Sequence, residues 1–114
     1  MSVKFNEIGS LVATFATSTA LVGDVVALAS AGTVAKATSS DTICGLAVSK
    51  GNGVVGVQIK GAMTFSCTDS NMTLGRVVLA AAGSNKVKVS ADGSGVPALV
   101  VEIDTTAHTV TAIL

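Results

Sequence analysis

Apolar and polar residues alternate along much of the chain with a period of two. Val57 and Ile59 fall on one side of such a segment and Gln58 and Lys60 on the other, and residues 86–89 repeat the pattern with Lys and Val. Successive side chains of a β-strand point to opposite faces, so this pattern predicts half-buried strands. No segment combines a helix cap with apolar residues at the spacing of an amphipathic helix.

Ten short strands are predicted, separated by clusters of Gly, Asn, Asp and Ser that favour turns. Their predicted bounds are 11–16, 24–29, 33–37, 43–49, 54–60, 62–67, 76–81, 86–90, 97–104 and 109–114. Ten strands from a small chain leave exposed edges unless their sheet closes on itself. We therefore expect an all-β fold, a compact β-barrel or sandwich of about 8–10 short strands, in which residues 11–114 form a single β domain.

The sequence repeats part of its own pattern at an offset near 52 residues. Residues 21–26 (LVGDVV) resemble residues 73–78 (TLGRVV), and residues 45–48 (GLAV) resemble residues 98–101 (ALVV). Two interpretations are open. Either a β module is duplicated and its copies form the halves of one barrel or sandwich, or the echo arises by chance in a sequence of low complexity.

The first ten residues, MSVKFNEIGS, precede the regular pattern. Val3, Phe5 and Ile8 stand at alternate or nearly alternate positions within this segment. It is either the first strand of the barrel or an N-terminal arm that adds as a strand to the sheet of a neighbouring molecule.

Charge is scarce in this chain. Seven Lys and Arg balance seven Asp and Glu, and charged residues make up 12% of the sequence, against roughly 25% in an average soluble domain. No nucleic-acid partner is expected, because no basic run is present to neutralise phosphates. A chain with so few charges tends to associate, so we expect a homo-oligomer or another protein partner to cover much of the surface. No apolar run is long enough to predict a membrane span.

A glycine motif of the form G-x-G-x-x-G spans residues 51–56. A dinucleotide site needs this motif between a strand and a helix, because the helix N-terminus binds the pyrophosphate. Here residues 54–60 alternate as a strand instead, so the glycines predict a hairpin turn. The carboxylates are scattered without the spacing of metal ligands. We expect no cofactor and no metal site.

His108 is the only histidine, and Cys44 and Cys67 are the only cysteines. Nucleophilic catalysis pairs a cysteine with a histidine that a carboxylate orients, so these are the candidate catalytic residues. Their surroundings indicate instead a surface histidine in a turn and two small buried thiols, with one disulfide bridge left open as an alternative. Asp24, next to Gly23, is expected to cap backbone amides. We therefore expect no catalytic residue and no enzyme.

Residues 20–50 and 54–63 resemble the small capsid decoration (cement) proteins of tailed bacteriophages. The family pattern is a Gly-Asp-Val-Val strand start, a Gly turn, a short strand, an Ile-x-Gly-x-Ala-Val strand and a Val-x-Val-x-x-x-Gly strand. The matching positions in this chain are Gly23, Asp24, Val25, Val26, Gly32, Ile43, Gly45, Ala47, Val48, Val55, Val57 and Gly61. The likeness covers about the first 80 residues.

The resemblance implies a β-barrel-like virion protein, made in the host cytoplasm, that binds the outside of an icosahedral head, often as a homotrimer near three-fold positions. It implies the major capsid protein as partner and a role in reinforcing the shell against packaged DNA. The N-terminal arm with Val3, Phe5 and Ile8 is then the expected capsid contact. The residues leave two other functions open: a tail, baseplate or fibre-base structural protein, and a small ligand-binding β-barrel module, which the lack of Trp and Tyr disfavours.

Overall fold

The computed structural model describes residues 10–17 and 19–114, and within these ranges it contains ten β-strands and no helix. The strands are β1 (Leu11–Ala16), β2 (Val25–Ser30), β3 (Thr33–Lys36), β4 (Gly45–Lys50), β5 (Val54–Lys60), β6 (Ala62–Ser66), β7 (Gly75–Gly83), β8 (Lys86–Val89), β9 (Val96–Asp104) and β10 (Thr109–Ile113). Every predicted strand is present, and the all-β prediction is confirmed. The expected arm or first strand, with Val3, Phe5 and Ile8, lies outside the described residues.

The ten strands close into two five-stranded barrels, one from each half of the chain. The strand order is β1-β3-β2-β4-β5 in the first barrel and β10-β6-β8-β7-β9 in the second. Antiparallel pairing of β1 with β5 closes the first ring, and pairing of β10 with β9 closes the second. The expected barrel architecture is confirmed, with the closure occurring within each half rather than once around all ten strands.

The two barrels have the same connectivity. In each, the first and third strands are parallel neighbours joined at one bridge, Ala16 to Thr33 in the first barrel and Ser66 to Lys86 in the second. The remaining pairings are antiparallel in both halves. Of the two interpretations of the sequence echo, this topology supports the duplicated β module.

Apolar side chains fill both barrels, and the two cores differ in size. In the first barrel, Val26, Val34, Val55 and Val57 are almost completely buried. The larger core, around Phe65 of the second barrel, also takes in residues of the first half. Those residues are Val25, Ala27, Ala37 and Ile43. Because full burial of one large apolar side chain stabilises a fold by about 1.5–3 kcal/mol, this shared core holds the barrels together.

Backbone hydrogen bonds also join the barrels. The pairing of β7 with β9 ends at Leu79, so the last residues of β7 extend past the start of β9. There the Ala81 N–H donates to the Asp41 carbonyl at 3.0 Å, and the Ser40 N–H donates to the Ala81 carbonyl at 2.7 Å. The segment between β3 and β4 thus covers the part of the β7 edge that β9 leaves unpaired.

Gly45 lies at the start of β4, close against the backbone of β5. A Cβ atom at this position would overlap the backbone carbonyl of Gln58. Any larger residue would therefore force one of the two strands to move. The glycine allows the first barrel to close around its valine core.

Candidate functional site

The outer face of β1 and β5 in the first barrel has no charged side chain at its centre. Directly opposed residues of antiparallel strands share a face, and the register pairs Thr14 with Gly56 and Ala16 with Val54. Val12 lies beside them, since a Cβ on Gly56 would be 3.4 Å from its Cγ1 atom. Val12 is itself paired with Gln58, whose side-chain amide donates to the Lys60 and Ala62 carbonyls at the border of the face. Val12 is 50% exposed and Val54 is 39% exposed. We call Val12, Thr14, Ala16, Val54 and Gly56 the valine face.

Gly56 leaves room within the valine face for the side chain of Ser49 in β4. A Cβ atom on Gly56 would overlap the Ser49 hydroxyl of β4, so the serine side chain occupies the space that a larger residue would need. Lys50, at the end of β4, directs its ammonium group to the Ala20 carbonyl at 3.1 Å. The ammonium group thereby donates a hydrogen bond to the backbone of the segment between β1 and β2.

Exposed aliphatic side chains are concentrated on the first barrel. Eight large hydrophobic residues are strongly exposed in the described part of the chain, and only Leu74 among them belongs to the second half. The other seven are Leu11, Val12, Leu21, Val22, Leu28, Val48 and Val54. Single exposed aliphatics occur on any protein surface, but seven of these eight belong to the first of two similar halves.

The second barrel carries hydroxyl groups where the first carries the valine face. At the equivalent position of β6 and β10, Thr64 opposes Thr111, and their Oγ1 atoms are 3.0 Å apart. The next outward pair is Ser66 opposite Thr109. At these equivalent positions, the first half therefore carries one hydroxyl residue, Thr14, and the second half carries four.

The structure brings the candidate catalytic residues Cys67 and His108 to one depression in the second barrel, together with Asp69 and Asp104. The Cys67 N–H donates to the His108 carbonyl at 2.8 Å, so the backbone makes this contact. Asp69 and Asp104 accept hydrogen bonds of 2.9–3.0 Å from backbone N–H groups. Their carboxylates are thus engaged by the backbone instead of orienting the imidazole.

Burial raises the pKa of the Cys67 thiol, and the backbone hydrogen bond from Asp69 offsets only part of that rise. A thiol with a raised pKa stays protonated at neutral pH and is a weak nucleophile. The depression therefore brings together a cysteine, a histidine and two carboxylates without the arrangement that activates a thiol.

Cys44 and Cys67 are both free thiols, in different halves of the chain, so the disulfide alternative is not realised in this structure. Cys44 is half-buried beside Leu28 in an open depression of about 310 Å³, and burial raises the pKa of its thiol as well. Within residues 10–17 and 19–114, no group of three or more His, Cys, Asp or Glu side chains is placed to hold a metal ion.

Asp24 caps a backbone amide, as predicted, and also connects the two barrels. Its Oδ2 accepts the Leu21 N–H at 2.9 Å, and its Oδ1 accepts the side-chain amide of Asn85 at 2.8 Å. Burial tends to raise the pKa of this carboxyl. The hydrogen bonds from Asn85 and Leu21, with the positive charges of two lysines, outweigh burial and hold the pKa below its ordinary value.

The sequence did not predict the contact that Asn85 makes with the first barrel. Ser84 and Asn85 both have positive φ, 52° and 62°, which is typical of a two-residue hairpin turn. An asparagine in such a turn is explained by its backbone preference alone. Its partners Asp24 and Val25 lie about 60 residues earlier, and only the docking of the barrels brings them together.

The glycine motif at residues 51–56 lies in the hairpin between β4 and β5, as the alternation predicts. The Gly51 N–H donates to the Val54 carbonyl at 2.9 Å, and Gly53 has a φ of 75°. A strand follows the motif, so it supplies no helix N-terminus for a pyrophosphate.

The chain matches no protein-family model, and no curated protein matches it. Among the residues that the structure describes, no helix is long and apolar enough to cross a membrane.

Proposed function

We propose that this chain is a structural virion protein, and not an enzyme, that binds the outer surface of a tailed-phage capsid and stabilises the head. The observation that carries the proposal is the uncharged valine face, which contrasts with the hydroxyl-rich face of the second barrel. The likeness to capsid decoration proteins and the charged fraction of only 12% support it. The proposed partner is the major capsid protein.

An uncharged face with two exposed valines suits another protein surface better than a small molecule, because small-ligand sites are concave. Val12 is half exposed and Val54 is somewhat less exposed, so burying either side chain in a contact contributes about 1 kcal/mol or less. One such contact is weak, but a capsid presents many identical sites. A homotrimer, the oligomer we favour, engages several sites at once and so gains strength through avidity.

Binding to undecorated heads tests the proposal. Expanded heads assembled from the major capsid protein of the same genome are mixed with the purified chain. We expect saturable binding at a fixed number of copies per capsid subunit and a higher temperature of head disruption. No saturable binding, or binding without a gain in heat resistance, rejects the function. Binding to purified tails or baseplates instead supports the tail alternative.

A pair of matched variants tests whether the valine face makes the contact. Val12→Lys places a charge in the face, whereas Leu74→Lys places the same charge on the second barrel, at an aliphatic residue that is 66% exposed. We expect Val12→Lys to weaken binding to heads by about tenfold or more, because an unpaired charge would be buried. Leu74→Lys is expected to bind as the wild type. The opposite order of effects rejects the valine face as the contact.

A further inference from the structure

The hairpin between β4 and β5 places an asparagine directly before a glycine. Asn52 and Gly53 are both exposed, and the hydrogen bond from the Gly51 N–H to the Val54 carbonyl closes the turn around them. Exposed loop tips are the parts of a fold that solvent reaches most easily. Water therefore has access to the Asn52 side chain.

The nitrogen of Gly53 has room to approach the Asn52 side chain. Glycine has no Cβ atom, and a Cβ built on Gly53 would meet no atom within 4 Å. The Gly53 carbonyl accepts the Thr17 N–H at 3.1 Å, which anchors the turn to the first barrel without using the Gly53 nitrogen. Among residues 10–17 and 19–114, no acceptor binds the Gly53 N–H. Within that part of the chain, this nitrogen is free to act as a nucleophile.

We propose that Asn52 is a site of spontaneous deamidation, in which the Gly53 nitrogen closes a succinimide ring on the asparagine side chain. The nitrogen loses its proton to a base in the solvent and attacks Cγ of Asn52. The Cγ–Nδ2 bond breaks, and Nδ2 takes a proton from water and leaves as ammonia. A second water then opens either carbonyl of the ring, which gives aspartate or isoaspartate. The net reaction consumes one water and releases one ammonia, with no change of oxidation state.

The other two described asparagines are held away from this reaction. The nitrogen that follows Asn71 belongs to the buried Met72, and its N–H already donates to the Asp69 carbonyl at 3.2 Å. The Asn85 side chain is fixed at both ends by the hydrogen bonds that join the two barrels. Asn52 is therefore the described asparagine that combines an exposed side chain with an unengaged following nitrogen.

Asp92 and Gly93 provide a comparison within the same chain, because aspartate before glycine can close the same ring. Gly93 has a φ of 81° with open space around it, against 75° for Gly53. The Asp92 Oδ1, however, accepts the Ser94 N–H at 2.9 Å and the Ser90 hydroxyl at 3.0 Å. These bonds hold the pKa of Asp92 below its ordinary value, so the group is ionised at neutral pH. An ionised carboxylate resists attack by a nucleophile, so we expect this second site to stay unmodified.

The modification changes both the charge and the backbone of the hairpin. The formal net charge of the chain is zero, so one new carboxylate makes it negative. Isoaspartate also routes the main chain through its own side-chain carbon, which lengthens the turn that the 2.9 Å bond between Gly51 and Val54 closes. Val54 belongs to the valine face, so the new charge enters beside that face. The reaction itself does not depend on the capsid function.

Peptide mapping of aged protein tests the proposal. The folded chain is incubated at neutral and at mildly alkaline pH, digested and analysed by mass spectrometry. We expect Asn52 to gain about one dalton and to convert at least about tenfold faster than Asn71 or Asn85, with faster conversion at the higher pH. An unmodified Asn52 under conditions that convert it in the urea-unfolded chain overturns the proposal. Faster conversion of Asn71 or Asn85 overturns it as well.

A pair of glutamine variants tests the same site. Asn52→Gln keeps the amide but lengthens the side chain, and the larger ring that it would form closes much more slowly. Asn71→Gln makes the same change at the other exposed asparagine and serves as the matched control. Isoelectric focusing measures the acidic species that accumulates with age. We expect Asn52→Gln to prevent most of this accumulation and Asn71→Gln to leave it unchanged. Accumulation at the wild-type rate in Asn52→Gln contradicts the proposal.

Discussion

The side-chain amide of Asn85 donates a hydrogen bond of 2.8 Å to Oδ1 of Asp24 and joins the second barrel to the first. Asn85 has a φ of 62°, a conformation that asparagine adopts more readily than most residues. Its Oδ1 accepts the Val25 N–H at 3.1 Å, so both ends of the amide are used. One side chain thereby connects the start of β2 to the turn between β7 and β8.

Asn85→Gly is expected to destabilise the protein by about 1–3 kcal/mol, because Asp24 and the Val25 N–H lose their partner in a partly buried site. Glycine accepts positive φ, so the turn itself is not strained by the change. Ser84→Gly is the matched control, since Ser84 also has positive φ, 52°, in the same turn. Urea unfolding measures both variants, and equal stabilities would show that the Asn85 bridge contributes nothing.

The lowered pKa of Asp24 predicts that the free energy of unfolding decreases as the solution becomes acidic. The ordinary value is 3.8 and the folded value lies below it. The ionised carboxylate therefore contributes fully above the unfolded pKa, and this contribution is lost as the pH falls through the folded pKa. Asp24→Asn removes the titration. We expect the stability advantage of the wild type over Asp24→Asn to shrink as the pH falls from well above 3.8 to below the folded pKa. If urea unfolding gives the same difference in free energy between the two proteins at every pH, the ionised Asp24 carboxylate does not contribute as described.

Both thiols are expected to react slowly with an alkylating reagent at neutral pH, because burial raises the pKa of each. Cys44 is half-buried and Cys67 is buried, so Cys44 should be modified first. Mass spectrometry of proteolytic fragments separates the two sites, and urea-unfolded protein gives the unhindered rate. Rapid modification of Cys67 in the folded protein would revive the hypothesis of a catalytic cysteine beside His108.

Gly45→Ala is expected to destabilise the first barrel by about 1–3 kcal/mol, the usual cost of forcing extra atoms into a packed site. The new Cβ would overlap the Gln58 carbonyl. Gly32→Asn is a suitable control, because Gly32 has φ of 69° with open space around it, and asparagine tolerates that conformation. Thermal unfolding that ranks Gly32→Asn as the more damaging change would show that the β4–β5 approach is not a tight constraint.

Local patterns predict the strands well, and the reason is physical. Residues 54–60 alternate clearly and the Gly-rich turn before them requires positive φ, so β5 (Val54–Lys60) is predicted with its observed bounds. Alternation assigns faces, but it does not say which strands become neighbours. The parallel bridge of Ala16 with Thr33 and the closure of each half into its own barrel therefore become evident only from the structure.

The candidate surface was less predictable than the strands. Residues 11–16 (LVATFA) are largely apolar on both faces, so the sequence does not distinguish the outward Val12 from the inward Phe15. The opposition of Thr14 to Gly56 also depends on long-range register. Scarce charge in the sequence predicts a partner, and the structure places seven of the eight strongly exposed aliphatic residues in the first half of the chain.

Cryo-electron microscopy of decorated heads tests the proposed capsid contact, because it shows which surface of the chain meets the shell. We expect density for the first barrel against the major capsid protein, with Val12 and Val54 buried in the contact. Density that places the hydroxyl-rich face of the second barrel on the shell, with Val12 and Val54 open to solvent, would contradict it.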